Sequence, residues 1–102
     1  MNYQKIKDYA EKYAVPIMRP ETSNIIADFI KSNTPSTILE IGTAIGYSGI
    51  IMLENSNANL ITIEHNKEYI KQAKINFKEH KLLKRAKIFS LSTMQNLNAV
   101  KI

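Results

Sequence analysis

The chain has 102 residues and a formal net charge of +5, from 14 lysine and arginine residues against nine acidic ones. Its composition, 44% hydrophobic and 23% charged with three glycines and three prolines, is that of a globular protein and excludes a low-complexity linker. The absence of cysteine excludes disulfides, thiolate metal sites and cysteine nucleophiles. No apolar run approaches the roughly 18 residues that span a membrane, and the charged start differs from a signal peptide, so we expect a cytoplasmic protein.

Two helices are predicted in residues 1–36, the first of two predicted regions. The first helix ends before Pro16, and its apolar stripe consists of Ile6, Tyr9, Ala10, Tyr13 and Ala14. The second helix begins at Pro20, because proline suits the first turn of a helix, and stops near Asn33. Its predicted inward face consists of Ile25, Ile26, Phe29 and Ile30.

Residues 37–102 are predicted to alternate strands and helices. The predicted strands are Thr37–Ile41, Leu60–Glu64 and Ala86–Ser90. The predicted helices run from Tyr47 to about Glu54 and from His65 to about His80. The first two strands are apolar at successive residues, which indicates burial on both faces and hence a parallel sheet, with right-handed crossovers placing helices on its two sides. The fold class is therefore α/β, an incomplete Rossmann-like doubly wound parallel sheet of about three strands.

The chain turns sharply where the first strand ends. Glu40 lies near the end of this strand, and Gly42 follows where the backbone must turn without the steric cost of a Cβ. Gly46 lies near the start of the next helix, where a bare Cα permits close approach of backbone or ligand. Thr43 and Ser48 add hydroxyls that can cap this helix or contact a ligand. The carboxylate of Glu40 would be largely desolvated, so it needs a cationic or hydroxylated partner.

A second acid, Glu64, closes the second strand. The loops after parallel strands open at one edge of a sheet, so Glu40, Gly42 and Glu64 are expected to converge there. Nucleoside-binding sheets place a carboxylate for the ribose hydroxyls at about this separation from the glycine turn. These residues therefore predict a nucleoside site.

The glycine spacing disfavours a dinucleotide. Dinucleotide-binding turns carry Gly-x-Gly-x-x-Gly, whereas the middle position here is Ala44 and the third is Tyr47, whose side chain obstructs a pyrophosphate. S-adenosylmethionine has no phosphate, and its sulfonium and ammonium groups suit a turn with an acid in front. Glu64 would then bind the ribose diol, with each charge-assisted hydrogen bond contributing about 1.5–3 kcal/mol. A nicotinamide-dependent oxidoreductase stays a disfavoured alternative.

These residues resemble a known family, the S-adenosylmethionine-dependent O-methyltransferases of the catechol and caffeoyl-CoA type, particularly its bacterial branch. The pattern Glu-x-Gly-x-x-x-Gly-Tyr-Ser that starts at Glu40 is similar to the first cofactor motif of that family. Ile63-Glu64 is similar to its ribose acid, and Pro16–Thr22 is similar to the segment that crosses the cofactor edge. The resemblance extends over roughly residues 5–90.

The resemblance implies methyl transfer from S-adenosylmethionine to a hydroxyl, assisted by a divalent metal, Mg, that we expect only in the full-length family fold. The acceptor it implies is a small hydroxylated molecule or transfer RNA, because some bacterial relatives act on a hydroxylated wobble uridine. No membrane partner is expected. The cofactor-binding residues that it implies together with the turn chemistry are Ile17, Met18, Glu40, Gly42, Thr43, Gly46, Ser48 and Glu64.

The chain departs from the family in two places. Relatives carry a Gly-Asp-Ala segment that contacts adenine after the third strand, whereas this chain reads Ser90-Leu91-Ser92-Thr93-Met94. The metal-binding carboxylates and the catalytic strand of the family lie beyond the fourth strand, so no catalytic or metal-binding residue is predicted here. Because a doubly wound domain usually needs roughly 150–200 residues, we expect the cofactor-binding half of an enzyme, with little activity alone.

The alternative is a non-catalytic interaction remnant of the same family. Either way, a three-stranded parallel sheet with an open edge would be marginally stable, and an open edge is a template for pairing with another strand. We therefore expect a homodimer or a partner chain to cover the open sheet edge.

The positive charge is concentrated in residues 67–87, which hold eight of the fourteen basic residues against Glu68 and Glu79. One helix face, by spacings of four, three and four, carries Lys67, Lys71, Lys74 and Lys78. Two interpretations stay open. A solvated helix face is common, and the other interpretation is contact with the phosphate backbone of RNA, although aromatic residues are not interleaved with the lysines.

Overall fold

The computed structural model of the protein describes residues 2–91. The helices are α1 (Gln4–Lys12), α2 (Pro20–Asn33), α3 (Tyr47–Glu54) and α4 (Lys67–Glu79), with a short 3-10 helix at Leu83–Arg85. The strands are β1 (Thr37–Ile41), β2 (Asn59–Glu64) and β3 (Ala86–Ser90). The predicted strands are confirmed to within one residue. Whether residue 36 is a domain boundary stays a prediction, although Ile6 and Ala10 of α1 lie in the same core as the later elements.

The sheet is parallel throughout, in the order β1-β2-β3. Its register places Glu40 beside Thr62 and Thr62 beside Ile88, so the three strands end at the same carboxyl edge. The predicted incomplete, Rossmann-like parallel sheet is therefore confirmed. No helix within residues 2–91 combines the length and apolar character that crossing a membrane requires.

Only one face of this sheet is covered by the described residues. Leu60 of β2 is 1% exposed beneath α3 and α4, whereas Leu39 and Ile41, on the opposite face of β1, are 66% and 76% exposed. The prediction of burial on both faces, with helices on two sides, is wrong for this part of the chain. The reason is topological, because the order β1-β2-β3 steps in one direction and two right-handed crossovers then place α3 and α4 on the same face.

The core lies between this covered face and the helices. Phe77 of α4 is fully buried, and α3 packs so closely that a Cβ added to Gly49 would lie 2.8 Å from Leu60 and 2.9 Å from the Phe77 ring. The inward face predicted for α2 is only partly right. Ile30 is buried, but Ile25 and Phe29 are 69% and 61% exposed. The helix packs mainly against α3 through the face that carries Ser23 and Ile30, and Ile25 and Phe29 lie on another face.

Two polar anchors hold the ends of the helices. The Arg85 guanidinium donates to the carbonyls of Leu53, Ser56 and Ala58, at 3.0, 2.9 and 3.0 Å, and so closes the carboxyl end of α3. The second anchor joins α1 to α3 and α4. Its members are Tyr3, whose hydroxyl donates to Glu54, and His80, whose Nδ1 lies 3.1 Å from the same carboxylate and whose ring stacks on Tyr3. Burial, together with Glu54, raises the pKa of Tyr3.

Candidate functional site

The turn between β1 and α3 is tied to the neighbouring strand. The backbone N–H groups of Gly42 and Thr43 both donate to the carbonyl of Ile63, at 2.8 and 3.2 Å. The N–H of Ala44 donates to Oε1 of Glu64 at 2.9 Å. These three bonds fix the turn over the carboxyl end of β2, so its shape does not depend on a ligand.

The far side of the turn is held by α4. Asn76 is buried, and its side-chain amide donates to the carbonyl of Ile45 at 2.7 Å. Gly46 closes the turn by donating from its N–H to the carbonyl of Thr43 at 3.0 Å. Ala44 adopts a left-handed backbone with φ of 47°, a conformation that costs a non-glycine residue about 1–2 kcal/mol. The turn is thus a preorganised and locally strained element.

The two glycines of the turn have different structural roles. Both have positive φ, 92° at Gly42 and 91° at Gly46, a region that glycine occupies without steric cost. A Cβ at Gly42 would meet nothing within 4 Å, so this position faces open space that a ligand can enter. A Cβ at Gly46 would lie 3.1 Å from the Phe77 ring. Gly46 therefore permits close approach of backbone to α4, and its predicted contact with a cofactor stays a prediction.

Glu40 lies at the centre of a chain of hydroxyls. Ser48 donates to Oε2 of this carboxylate, and Thr62 donates to Oε1 at 2.8 Å. The hydroxyls of Thr62 and Thr43 are 2.6 Å apart, and because the single proton of Thr62 goes to Glu40, Thr43 is the donor. Glu40 was expected to need a cationic or hydroxylated partner, and its partners in the structure are the hydroxyls of Ser48 and Thr62.

Burial dominates the ionisation of Glu40. Desolvation raises the pKa of its carboxyl above the usual range, the hydrogen bonds from Ser48 and Thr62 act in the opposite direction, and the charge of Glu64 raises it further. A cation placed beside this carboxyl group would be attracted to the ionised carboxylate, and it would favour that form over the protonated one.

Glu64 is held by backbone amides. It is buried at the end of β2, and its carboxylate accepts from the N–H of Ala44 and from the N–H groups of His65 and Asn66, both at 3.0 Å. The ring of His65 lies 3.4 Å from the same carboxylate. Glu64 and Thr62 point to the same covered face of β2, so the two predicted acids converge at the carboxyl edge of the sheet.

A cavity of about 230 Å³ opens beside the turn. It is lined by Pro16, Ile17, Met18, Gly42, Thr43, Ala44, Tyr47 and Ser48. Five of the eight predicted site residues thus meet at one cavity, while Glu40, Gly46 and Glu64 lie outside its lining. Complete ligand pockets have volumes of roughly 300–1,000 Å³, so this cavity is smaller than a complete pocket, and the cofactor contacts of its lining residues stay a prediction. A larger cavity, about 620 Å³, lies by His80 at the other end of α4.

Comparison with known proteins identifies the family. A model of the family described as protein-L-isoaspartate(D-aspartate) O-methyltransferase matches residues 3–95. The chain belongs to this O-methyltransferase family. The resemblance to O-methyltransferases that the motifs predicted is confirmed.

Solved O-methyltransferases share the fold. A candidate caffeoyl-CoA O-methyltransferase from Staphylococcus aureus is 31% identical, with a TM-score of 0.84 over 98% of this chain and 48% of that one. An O-methyltransferase from Bacillus cereus, in complex with SAH, is 21% identical, with a TM-score of 0.80 over 97% of this chain and 48% of that one. The 102-residue chain spans about half the length of these structures.

The residues of the candidate site that sequence reasoning missed are Thr62 and Asn76. Thr62 carries the hydroxyl chain to Glu40, and Asn76 holds the turn against α4. A threonine that interrupts an apolar strand opposite a strand-end acid was the available signal for Thr62. Asn76 gave none, because a polar residue on a lysine-rich helix is typical of an exposed face.

The described part of the chain contains no cluster of metal-ligating side chains. Within residues 2–91 no three histidine or acidic side chains lie close enough together to hold a metal ion. The hydroxyl chain around Glu40 and the amides around Glu64 leave each acid with separate partners. These residues therefore do not fit a divalent cation, and the metal expected in the full-length family fold stays a prediction.

Proposed function

We propose that this chain binds S-adenosylmethionine at the carboxyl edge of the sheet and forms the donor-binding half of an O-methyltransferase. The observation that carries the proposal is the cavity between the Ile17-Met18 segment and the Gly42–Ala44 turn, bordered by two converging carboxylates. Its open space at Gly42 and its mixture of apolar walls and hydroxyls suit a nucleoside with a methionine tail. The Bacillus cereus O-methyltransferase, in complex with SAH, supports this choice of ligand.

Each site residue has a role in this proposal. Glu64, already oriented by three backbone amides, accepts hydrogen bonds from the ribose hydroxyls. Glu40 faces the cationic methionine end through its hydroxyl chain, and Gly42 permits close backbone approach. Ile17 and Met18 supply apolar contact from their side of the cavity. Ser48 donates to Glu40, so its predicted bond to the methionine carboxylate requires its hydroxyl to turn.

The contribution of these residues to chemistry is positioning. S-adenosylmethionine supplies an electrophilic methyl group when bound. The fixed turn and the oriented Glu64 hold the donor so that an acceptor hydroxyl can approach in line, which converts binding energy into orientation. We propose a small hydroxylated molecule or transfer RNA as the acceptor, and we place the groups that activate it, including the expected Mg, in the remainder of a family-length fold.

Methyl transfer is proposed to need additional protein over the uncovered face of the sheet. Leu39 and Ile41 expose most of their apolar surface there, and such a face is normally covered by protein. The cover can come from the same polypeptide or from a partner chain at the β1 edge.

The same exposed face favours a second candidate function, a non-catalytic interaction remnant that binds another chain along β1. Size-exclusion chromatography with light scattering separates the two. A monomer that binds S-adenosylhomocysteine supports the donor-binding half. A stable oligomer with no affinity for this ligand supports the remnant.

Calorimetric titration tests the proposed ligand directly. S-adenosylhomocysteine is expected to bind with one site per chain. NAD is expected not to bind, because the turn has Ala44 and Tyr47 in place of the second and third glycines of Gly-x-Gly-x-x-Gly. The matched variants are Glu64→Gln at the site and Glu11→Gln on the exposed part of α1. Binding of NAD in preference to S-adenosylhomocysteine, or equal binding by both variants, would contradict the proposal.

A further inference from the structure

We infer that the outer face of α4 binds the phosphate backbone of a nucleic acid. This lysine face consists of Lys67, Lys71, Lys74 and Lys78, all exposed. At 100° per residue, the four side chains fall within an arc of about 60° around the helix axis. The buried residues Ala73, Asn76 and Phe77 lie on the opposite side, so the lysine face is fully available to a partner.

The charge of the lysine face is uncompensated within the described residues. The acids of the same helix, Glu68 and Glu79, lie about 100° further around the axis. The ion pairs found in residues 2–91 both involve histidine, and none of the four ammonium groups has a carboxylate or hydrogen-bond partner there. Arg85 differs, because its guanidinium donates hydrogen bonds to three backbone carbonyls. The helix therefore holds four positive charges close together, and none of them pairs with another group within residues 2–91.

The spacing of these charges suits a linear polyanion. With a rise of 1.5 Å per residue, the steps along the axis are about 6, 4.5 and 6 Å, and the lysine face is about 16 Å long. A nucleic acid strand presents about five phosphates over that length, at roughly 3.4 Å each in a duplex. Lysine is a flexible point charge that binds phosphate without requiring one fixed geometry.

Other anionic partners fit less well. A helix that binds a membrane surface inserts an apolar face, whereas α4 buries Ala73 and Phe77 in the core and exposes a single large apolar side chain, Ile75, at 43%. Protein interfaces are centred on clusters of apolar or aromatic anchors, and Ile75 alone does not form such a cluster beside the lysine face. Binding of a phosphate backbone requires only positive charge on the protein, and the lysine face supplies it.

The position of the lysine face connects it to the site. Lys67 follows Asn66 directly and lies three residues after Glu64, so the face starts beside the carboxyl edge of the sheet and runs away from it along α4. A nucleic acid bound there has one end at the cofactor edge. The binding depends only on the four lysines of α4, so it does not rest on the proposed function.

Fluorescence anisotropy with a labelled single-stranded RNA tests the binding, with duplex RNA and DNA as further arms that identify the source of the backbone. With four phosphate contacts to a single strand, affinity is expected to fall about 50-fold between 50 and 200 mM salt. The variant K67Q/K71Q/K74Q/K78Q is expected to lose most of this salt dependence. The matched control, K5Q/K7Q/K12Q/K31Q, removes four exposed charges elsewhere and is expected to keep it.

Several outcomes would overturn the inference. These are equal loss of binding in the two quadruple variants, affinity that does not depend on salt, binding to phosphatidylserine vesicles that the lysine-face variant loses, and competition by polyglutamate as effective as that by RNA. Titration of the lysine-face variant with S-adenosylhomocysteine separates this inference from the proposed function. Unchanged binding of that ligand with no RNA affinity in the parent chain rejects the inference alone.

Discussion

The carboxyl edge of the sheet and its uncovered face differ in how many of their side chains have partners within the described residues. At the edge, Glu40 and Glu64 have partners from the chain's own hydroxyls and amides, and no buried side-chain nitrogen or oxygen in residues 2–91 lacks a partner. On the uncovered face, Leu39 and Ile41 are left in contact with solvent. Within the described residues, the polar groups at the carboxyl edge are thus satisfied, whereas the apolar residues of the other face of β1 are not covered.

The largest expected effect compares two leucines on neighbouring strands. Leu60→Ala, beneath the helices, is expected to lower the free energy of unfolding by about 2–5 kcal/mol, because it leaves a cavity in a packed core. Leu39→Ala, on the uncovered face, is expected to change it by less than about 0.5 kcal/mol. Urea denaturation measures both. A large loss in Leu39→Ala would mean that this face is covered in solution.

The two glycines of the turn give the next largest contrast. Gly46→Ala is expected to cost about 2–4 kcal/mol of stability, because it combines left-handed strain with a contact of 3.1 Å to Phe77. Gly42→Ala carries the strain without the contact, so about 1–2 kcal/mol is expected, with a separate loss of ligand affinity. Thermal denaturation and calorimetric titration measure the two effects. Equal stability losses would show that packing against α4 is not what requires Gly46.

Removal of the carboxylate of Glu64, the proposed ribose ligand, is expected to lower ligand affinity. Glu64→Ala should weaken binding of S-adenosylhomocysteine by about 2–3 kcal/mol, or roughly 30- to 150-fold, through the loss of charge-assisted hydrogen bonds. The variant also frees the N–H groups of Ala44, His65 and Asn66, so its fold is checked by circular dichroism. An unchanged dissociation constant in a folded variant would remove Glu64 from the site.

The smallest expected effect is the pH dependence due to Glu40. Because its pKa is raised on folding, the native state binds the proton more tightly than the unfolded chain, where the pKa is about 4.3. This contribution to stability is complete below about pH 4 and is lost as the pH rises through the folded pKa. Glu40→Gln, which cannot ionise, should therefore gain in stability relative to the parent as the pH rises to 7. Urea midpoints between pH 4 and 8 test this, and a growing advantage of the parent chain would contradict it.

The sequence predicted the strands and the edge residues because both depend on local chemistry. Apolar runs bounded by turn residues define β1 and β2, and strand-end acids beside glycine must lie at the carboxyl edge of a parallel sheet. The exposed Ile25 and the uncovered face at Leu39 could not be predicted in this way. Hydrophobic periodicity shows that a residue suits burial, but it does not show which element, if any, covers it.

The most direct test of the account is to map the ligand onto the chain by NMR. Addition of S-adenosylhomocysteine to the isotopically labelled protein is expected to shift the backbone amides of Gly42, Thr43 and Ala44 together with those of His65 and Asn66, which flank Glu64. The amides around the larger cavity, near Lys5 and His80, are expected to stay unchanged. Shifts confined to that second group, or no shifts at a saturating concentration, would contradict the claim that the carboxyl edge binds the methyl donor.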